Sequence, residues 1–240
     1  MAEEAPPLRL VISDPKGGRK IVKVKVKVKG VEDEALEYTK EMRREKEKGK
    51  VKKERSRLPL AKVNSKLAKE LDLEEVGVLT LRFKTEDGRI NETFKVIIDD
   101  NVPDNTVHVN MEHLGELIGD MEGEAEAFRA KAWQIAIPQK TVERLAGLEI
   151  GDVFDGSLVG IEGVRFKIRG GSDATGFPMH PGVPGSGKKK VLLSGPPGFH
   201  PREKGERRRK TVRGRMIPDP RGERRKTVLA QLNVIIHYEK

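Results

Sequence analysis

Val228-Leu-Ala-Gln-Leu-Asn-Val-Ile-Ile-His237 decides how this chain is read, because it sets a β-suited apolar run directly behind the most basic stretch of the sequence. A basic tail with no structural duty would simply trail away. A strand on its far side instead ties the basic segment to a sheet at both ends. Between Gly182 and Val228 there are 15 basic residues against four acids, a surplus of +11 in a chain whose formal net charge is +10. The remainder is therefore close to neutral. Interspersed signs serve solubility better than segregation does, and the natural counterpart of a concentrated positive field is a polyanion.

Working outward, Val153 to Ile161 and Val164 to Ile168 read as strands around a tight turn at Glu162-Gly163. Beyond Arg169, Gly and Pro recur every few residues as far as Gly198, which predicts mostly loop with one strand over Lys190 to Leu193. At the N-terminal side, Leu8 to Ser13 and Lys20 to Lys29 read as a hairpin around Asp14-Pro15-Lys16-Gly17-Gly18. Val22, Val24, Val26 and Val28 line one face of its second strand, and Lys23, Lys25, Lys27 and Lys29 line the other. That lysine stripe fits either a phosphate contact or a solvated edge that resists aggregation.

Glu32 to Arg57 carries eight acids and ten bases with few apolar residues. This composition predicts a solvated connector with no face to bury. Val63 to Leu71 reads as a short helix capped by Asn64 or Ser65, and Val78 to Phe83 with Thr93 to Ile98 as a hairpin around Glu86-Asp87-Gly88. Met111 to Ile118 is a second helix capped by Asn110. Trp133 to Ile137 is a strand, and Pro138 opens a helix that runs to Leu145 and ends at Gly147. The run from Val63 through Val76-Gly77 parallels the run from Ile137 through Ile150-Gly151 at an offset of 74 residues. A strand, a short helix and a glycine turn into another strand look like the repeating unit of cradle-loop barrels.

Several function classes are disfavoured. The chain has no Cys and five scattered His, which leaves no thiolate metal site and no usual zinc framework. No stretch approaches the roughly 20 apolar residues of a bilayer span, and Met1 to Pro7 is acidic rather than a basic lead into an apolar run, so the chain reads as cytosolic. Gly182-Val-Pro-Gly-Ser-Gly-Lys188 has the spacing of a phosphate-binding loop, yet Lys189 stands where a hydroxyl would bind magnesium, and a β-suited run follows where a helix is needed. No catalytic, cofactor or metal residue is expected.

What stands out is Gly205-Glu-Arg-Arg-Arg-Lys-Thr-Val-Arg-Gly214, echoed by Gly222-Glu-Arg-Arg-Lys-Thr-Val228. Guanidinium forks bind phosphate bidentately and ammonium groups bind it as point charges. The residues expected to contact RNA phosphates are Lys188, Lys189, Lys190, Arg202, Lys204, Arg207, Arg208, Arg209, Lys210, Arg213 and Arg215, together with Arg224, Arg225 and Lys226 of the second copy. Gly170, Gly171, Asp173, Phe177, Pro178 and Met179 are expected to shape the loop. Aromatic residues are sparse nearby, so phosphate and shape contacts should outweigh base stacking.

Gly170-Gly-Ser-Asp-Ala-Thr-Gly-Phe-Pro-Met179, Val191-Leu-Leu-Ser194, Gly198-Phe199, the Gly205 to Gly214 element and Gln231-Leu-Asn-Val234 together resemble the small-subunit ribosomal protein six family of the archaeal and eukaryotic type. Ile150-Gly-Asp-Val-Phe-Asp-Gly156 and Val11-Ile-Ser-Asp-Pro-Lys16 belong to the same pattern, and the likeness spans roughly residues 8 to 29 and 144 to 240. It implies a mainly β chain with short helices (α+β), in which a small distorted β-barrel core carries long basic loops. It also implies a non-catalytic place in the cytoplasmic small ribosomal subunit, against rRNA and neighbouring small-subunit proteins, with no membrane contact and no homo-oligomer. The expected division is an N-terminal hairpin over 8–30, a charged connector over 31–62, an inserted α+β subdomain over 63–143 and the ribosomal core over 144–240, with basic loops at 182–228. A non-ribosomal RNA-binding or rRNA-maturation factor is the alternative that composition leaves open.

Overall fold

The computed structural model describes residues 7–17, 21–47, 50–85, 88–221 and 228–238, without side chains for 45–47 and 50–53. In chain order the strands and helices are β1 (Leu8–Ser13), β2 (Val24–Val31), β3 (Glu45–Glu47), β4 (Lys50–Lys53), β5 (Leu60–Val63), α1 (Ser65–Glu70), β6 (Val78–Thr85) and β7 (Gly88–Ile98). They continue with β8 (Thr106–Asn110), α2 (Met111–Ile118), β9 (Glu122–Arg129), β10 (Ala132–Ile137), α3 (Gln139–Leu145), β11 (Val153–Asp155), β12 (Arg165–Asp173), β13 (Lys188–Leu193), β14 (Arg208–Arg213) and β15 (Leu229–His237). Strands dominate and the helices are short, so the chain is mainly β with an α+β character. It divides into two compact units, residues 14–135 and residues 1–13 with 136–240.

In the 14–135 unit, six strands close a barrel in the order β2-β8-β5-β7-β6-β9. Alternation explains it: Val26 and Val28 of β2, Leu79, Leu81 and Phe83 of β6, and Ala125 and Ala127 of β9 all point inward and are buried. Exchanging β2, β5, α1 and β6 for β7, β8, α2 and β9 preserves the pairings. The parallel pairs β2–β8 and β7–β5 swap, as do the antiparallel pairs β2–β9 and β7–β6, while β5–β8 and β6–β9 map onto themselves. The barrel is thus built from two like halves. Val63-Asn64 and Val109-Asn110 hold corresponding places, and each Asn side chain caps the following helix, accepting from the backbone N–H of Lys66 and of His113. The internal repeat therefore runs from Val63 to Val109 within the barrel. The stretch at Ile137 that sequence paired with Val63 does fold as strand and helix, but α3 has no side-chain cap and belongs to the other unit.

The other unit is organised by a sheet in which β1, β15, β12 and β11 neighbour one another in that order, with Leu8, Leu10, Ile12, Phe166, Ile168, Leu232 and Val234 buried. The closed barrel is therefore found in the block that precedes the core implied by the resemblance. Near its end β12 shifts register at Gly170 against β15. Only glycine fits at Gly171, where a Cβ would come within 2.5 Å of the Gln231 carbonyl oxygen. Gly170 to Asp173, expected as loop, therefore continues the strand.

Three further expectations are corrected. The N-terminal hairpin does not form: β1 pairs in parallel with β15, whereas β2 lies between β8 and β9. Residues 18–20 of that expected hairpin lie outside the described residues. The valines of β2 and the alanines of β9 share one interior, which is stronger than the local preference for a tight turn. The stretch Val153 to Ile161 keeps only β11 as strand and then turns through a 3₁₀ helix at Gly156–Val159, where a Cβ on Gly156 would sit 2.2 Å from the Ile161 carbonyl oxygen. The charged stretch after β2 does bury a face: Leu36 and Met42 are buried, and Tyr38 stacks on His113 at 4.4 Å with rings within 8° of parallel. Leu36, Tyr38 and Met42, few as they are, hold it down where periodicity gave no sign.

Candidate nucleic-acid interface

The basic segment is a two-stranded antiparallel ribbon. β13 and β14 pair from Lys188 opposite Arg213 to Leu193 opposite Arg208. Arg208 to Arg213, expected as part of a loop, is a strand, because Val191, Leu193 and Val212 alternate onto one face and pack with Val183 and Phe199. At Gly198, whose φ is +96°, an added Cβ would meet Val212 at 2.9 Å, and at Gly214 one would overlap the Gly185 carbonyl oxygen at 1.8 Å. These close approaches let the loops on either side lie tight against the ribbon.

One end of the ribbon is anchored by Asp173. Its Oδ1 accepts from the Thr175 and Phe177 backbone N–H groups at 3.0 and 2.9 Å and from the Thr175 hydroxyl at 2.8 Å. Its Oδ2 pairs with Lys188 Nζ at 2.8 Å and faces Arg213 Nη1 at 3.9 Å. Burial pushes this carboxyl up, but the Lys188 ammonium and the donated hydrogen bonds outweigh it and hold Asp173 below the usual carboxylate range. Arg213, 1% exposed, donates from Nε and Nη2 to the Ser186 carbonyl oxygen at 3.2 and 2.9 Å. Lys188 also lies 4.8 Å over the Phe177 ring. Pro178 accepts from the Arg213 N–H, and Met179, buried, donates its own N–H to Gly171. Gly171, Asp173, Phe177, Pro178 and Met179 thus meet around this anchor, whereas Gly170 sits apart at the register shift of β12 opposite Asn233.

The expected contact residues consequently separate. Lys188 and Arg213 are engaged within the protein, so neither side chain is presented outward as expected. Arg215 is partly buried against Glu149 at 2.7 Å, and Arg208 reaches Glu206 at 2.7 Å. Lys189, Lys190, Arg202, Lys204, Arg207, Arg208, Arg209 and Lys210 are exposed. Arg224, Arg225 and Lys226 lie outside the described residues. The alternation of a strand cannot by itself tell a presented cation from an anchoring one. The clue available was Asp173, an acid inside the glycine-rich run that had to find a partner.

The stretch with phosphate-loop spacing, Gly182 to Lys188, leads into strand β13, and its lysine is taken by Asp173. Among the described residues no helix is long and apolar enough to cross a membrane, and no group of three His, Asp or Glu side chains could hold a metal ion.

A family model described as ribosomal protein S6e matches residues 125–237. Small ribosomal subunit protein eS6 of Aeropyrum pernix is 65% identical over 239 residues, 99% of this chain and 98% of that protein. The corresponding proteins of Hyperthermus butylicus and Staphylothermus marinus are 49% and 46% identical over 98% and 96% of this chain and 99% and 98% of their own lengths. The block before residue 125 lies outside the family model, yet these relatives match across it.

Proposed function

The chain belongs to the ribosomal protein S6e family, and from that premise we propose that this component of the small ribosomal subunit binds rRNA through the exposed cations of its β13–β14 ribbon and the loop before β14. It is a structural protein with no catalytic role, placed among the other proteins of the subunit. The observation that carries the reading is the state of the charges. Lys189, Lys190, Arg207, Arg209 and Lys210 have no ion-pair partner among the described residues, although the ribbon beneath them is held by a packed cluster and a buried carboxylate. Holding like charges together is unfavourable in the free protein, and counterion release on meeting a phosphate backbone offsets it. A fixed ribbon also loses little conformational entropy on docking. Lys188, Arg213 and Asp173 act in this reading by positioning the ribbon, and Arg224, Arg225 and Lys226 are assigned to an accessory phosphate contact.

Titration of the protein with purified small-subunit rRNA at increasing salt tests this. With roughly six to eight phosphate contacts, affinity falls about 10³ to 10⁴ fold between 50 and 200 mM salt. The variant R207Q/R208Q/R209Q/K210Q flattens the salt dependence and binds about 10² to 10³ fold more weakly at 150 mM. Unchanged binding by that variant sinks the assignment.

A further inference from the structure

The barrel unit holds 26 basic and 25 acidic residues between positions 14 and 135, so as a whole it offers a polyanion nothing. Its charge is nevertheless segregated. The nine residues 45–53 contain five lysines and two glutamates, whereas the rest of the unit contains 21 bases and 23 acids. Seven of them form a second two-stranded ribbon, in which β3 pairs with β4 from Glu45 opposite Lys53 to Glu47 opposite Lys50.

A short hairpin is marginal by itself, and here its two feet are tied down. Arg44, just before β3, meets Glu54, just after β4, at 3.2 Å and Glu92 of β7 at 3.7 Å. Arg55, 1% exposed, pairs with the same Glu92. The Ser56 N–H donates to the Glu41 carbonyl oxygen across the base at 2.8 Å. Buried ion pairs are an expensive way to gain stability. Their evident effect here is to fix where the ribbon leaves the barrel.

We propose that this β3–β4 ribbon is a second contact with small-subunit rRNA, carried by the barrel and independent of the β13–β14 ribbon; it rests on the reading of the chain as an rRNA-binding protein. Composition selects RNA over a neighbouring protein. Protein interfaces concentrate aromatic residues, Met and Arg and are poor in Lys, while residues 45–53 contain none of the first three types and five lysines. Such a segment neutralises phosphates as a set of point charges.

The test uses the full chain, protein-free small-subunit rRNA and hydroxyl-radical footprinting across a salt series. The variant K46Q/K50Q/K52Q/K53Q should bind ten- to a hundredfold more weakly at 150 mM salt, with the log–log salt slope reduced by about two to three. It should lose one footprint patch while keeping the patch that R207Q/R208Q/R209Q/K210Q loses. Arg at the same four positions should restore both, which separates lost charge from lost fold. If K46Q/K50Q/K52Q/K53Q keeps slope and footprint while R207Q/R208Q/R209Q/K210Q loses them, the second contact is overturned and the first stands; a ribbon that touches only protein gives this result. If neither variant changes anything, the reading as a whole fails. A weaker affinity with an unaltered slope and a lowered melting temperature also overturns the proposal, because the ribbon then serves only the fold.

Discussion

Two lysine-rich strands of this protein, β2 and β13, read almost alike as sequence and behave in opposite ways. Across from β2, the neighbouring β9 supplies an acid for each of three lysines: Lys25 lies opposite Glu126, Lys27 opposite Glu124 and Lys29 opposite Glu122. Lys29 reaches Glu122 at 3.4 Å, and Lys23 reaches Glu126 at 3.9 Å. Across from β13, β14 supplies Arg208, Arg209, Lys210 and Arg213 instead. The stripe on β2 is therefore neutralised on its own barrel wall, and that on β13 is multiplied. Density of charge along a strand says little until the partner strand is known.

The contrast is most exposed at Asp173 of β12, the acid that anchors the basic ribbon. Asp173→Asn keeps an acceptor for Thr175 and Phe177 but leaves the Lys188 ammonium and the buried Arg213 facing a neutral amide. Urea unfolding should show a loss of about 3–5 kcal/mol. A change below about 0.5 kcal/mol would mean that the ribbon is not anchored by charge. Because Asp173 titrates below the usual range, its contribution is complete above pH 5 and disappears only as pH falls through that lowered value.

The barrel predicts a loss in the same direction, on acidification, but in a higher pH window. Burial, helped by the nearby Arg55, Arg43 and Arg44 and opposed by Glu92, lowers His113 from 6.5 to about 4. The unfolded chain takes up this proton first as pH drops, so stability is complete above pH 6.5 and declines from there to about pH 4. The total is on the order of 3 kcal/mol. His113→Phe retains an aromatic ring between Tyr38 and Phe94 and should remove this limb from the stability–pH curve. An identical curve for both proteins would show that the histidine is not kept neutral by the fold.

The smallest effect sharpens the comparison directly. Lys27→Glu sets a like charge opposite Glu124 and should lower stability by about 0.5–1 kcal/mol. The swap K27E/E124K should recover most of it in a double-mutant cycle. Neither protein should differ from wild type by more than about twofold in rRNA affinity, since β2 is not assigned to RNA; a loss matching that of the β14 variants would erase the distinction between the two strands.

Much of this was visible from residues alone. Asn64 and Asn110 announced their helices, because a cap acts within one turn of chain. Val78 to Phe83 with Thr93 to Ile98 announced a hairpin, because its two strands are neighbours in sequence. The basic segment and its family resemblance were legible for the same local reason. The likeness of Val63-Asn64 to Val109-Asn110 was also on view, but two matching residues are a faint signal beside the longer run at Ile137.

What the sequence by itself determined is the two Asn-capped helices, the β6–β7 hairpin, the C-terminal strand and the concentration of positive charge between Gly182 and Lys226. Only the tertiary structure decided that β1 joins β15 rather than β2, that the lysines of β2 are matched, and that Lys188 and Arg213 turn inward to Asp173. Caps, turns and alternation are set by neighbours a few residues away. The choice of a strand's partner, and with it the sign of the charge it faces, depends on which apolar faces share an interior, and that is settled only when distant segments meet.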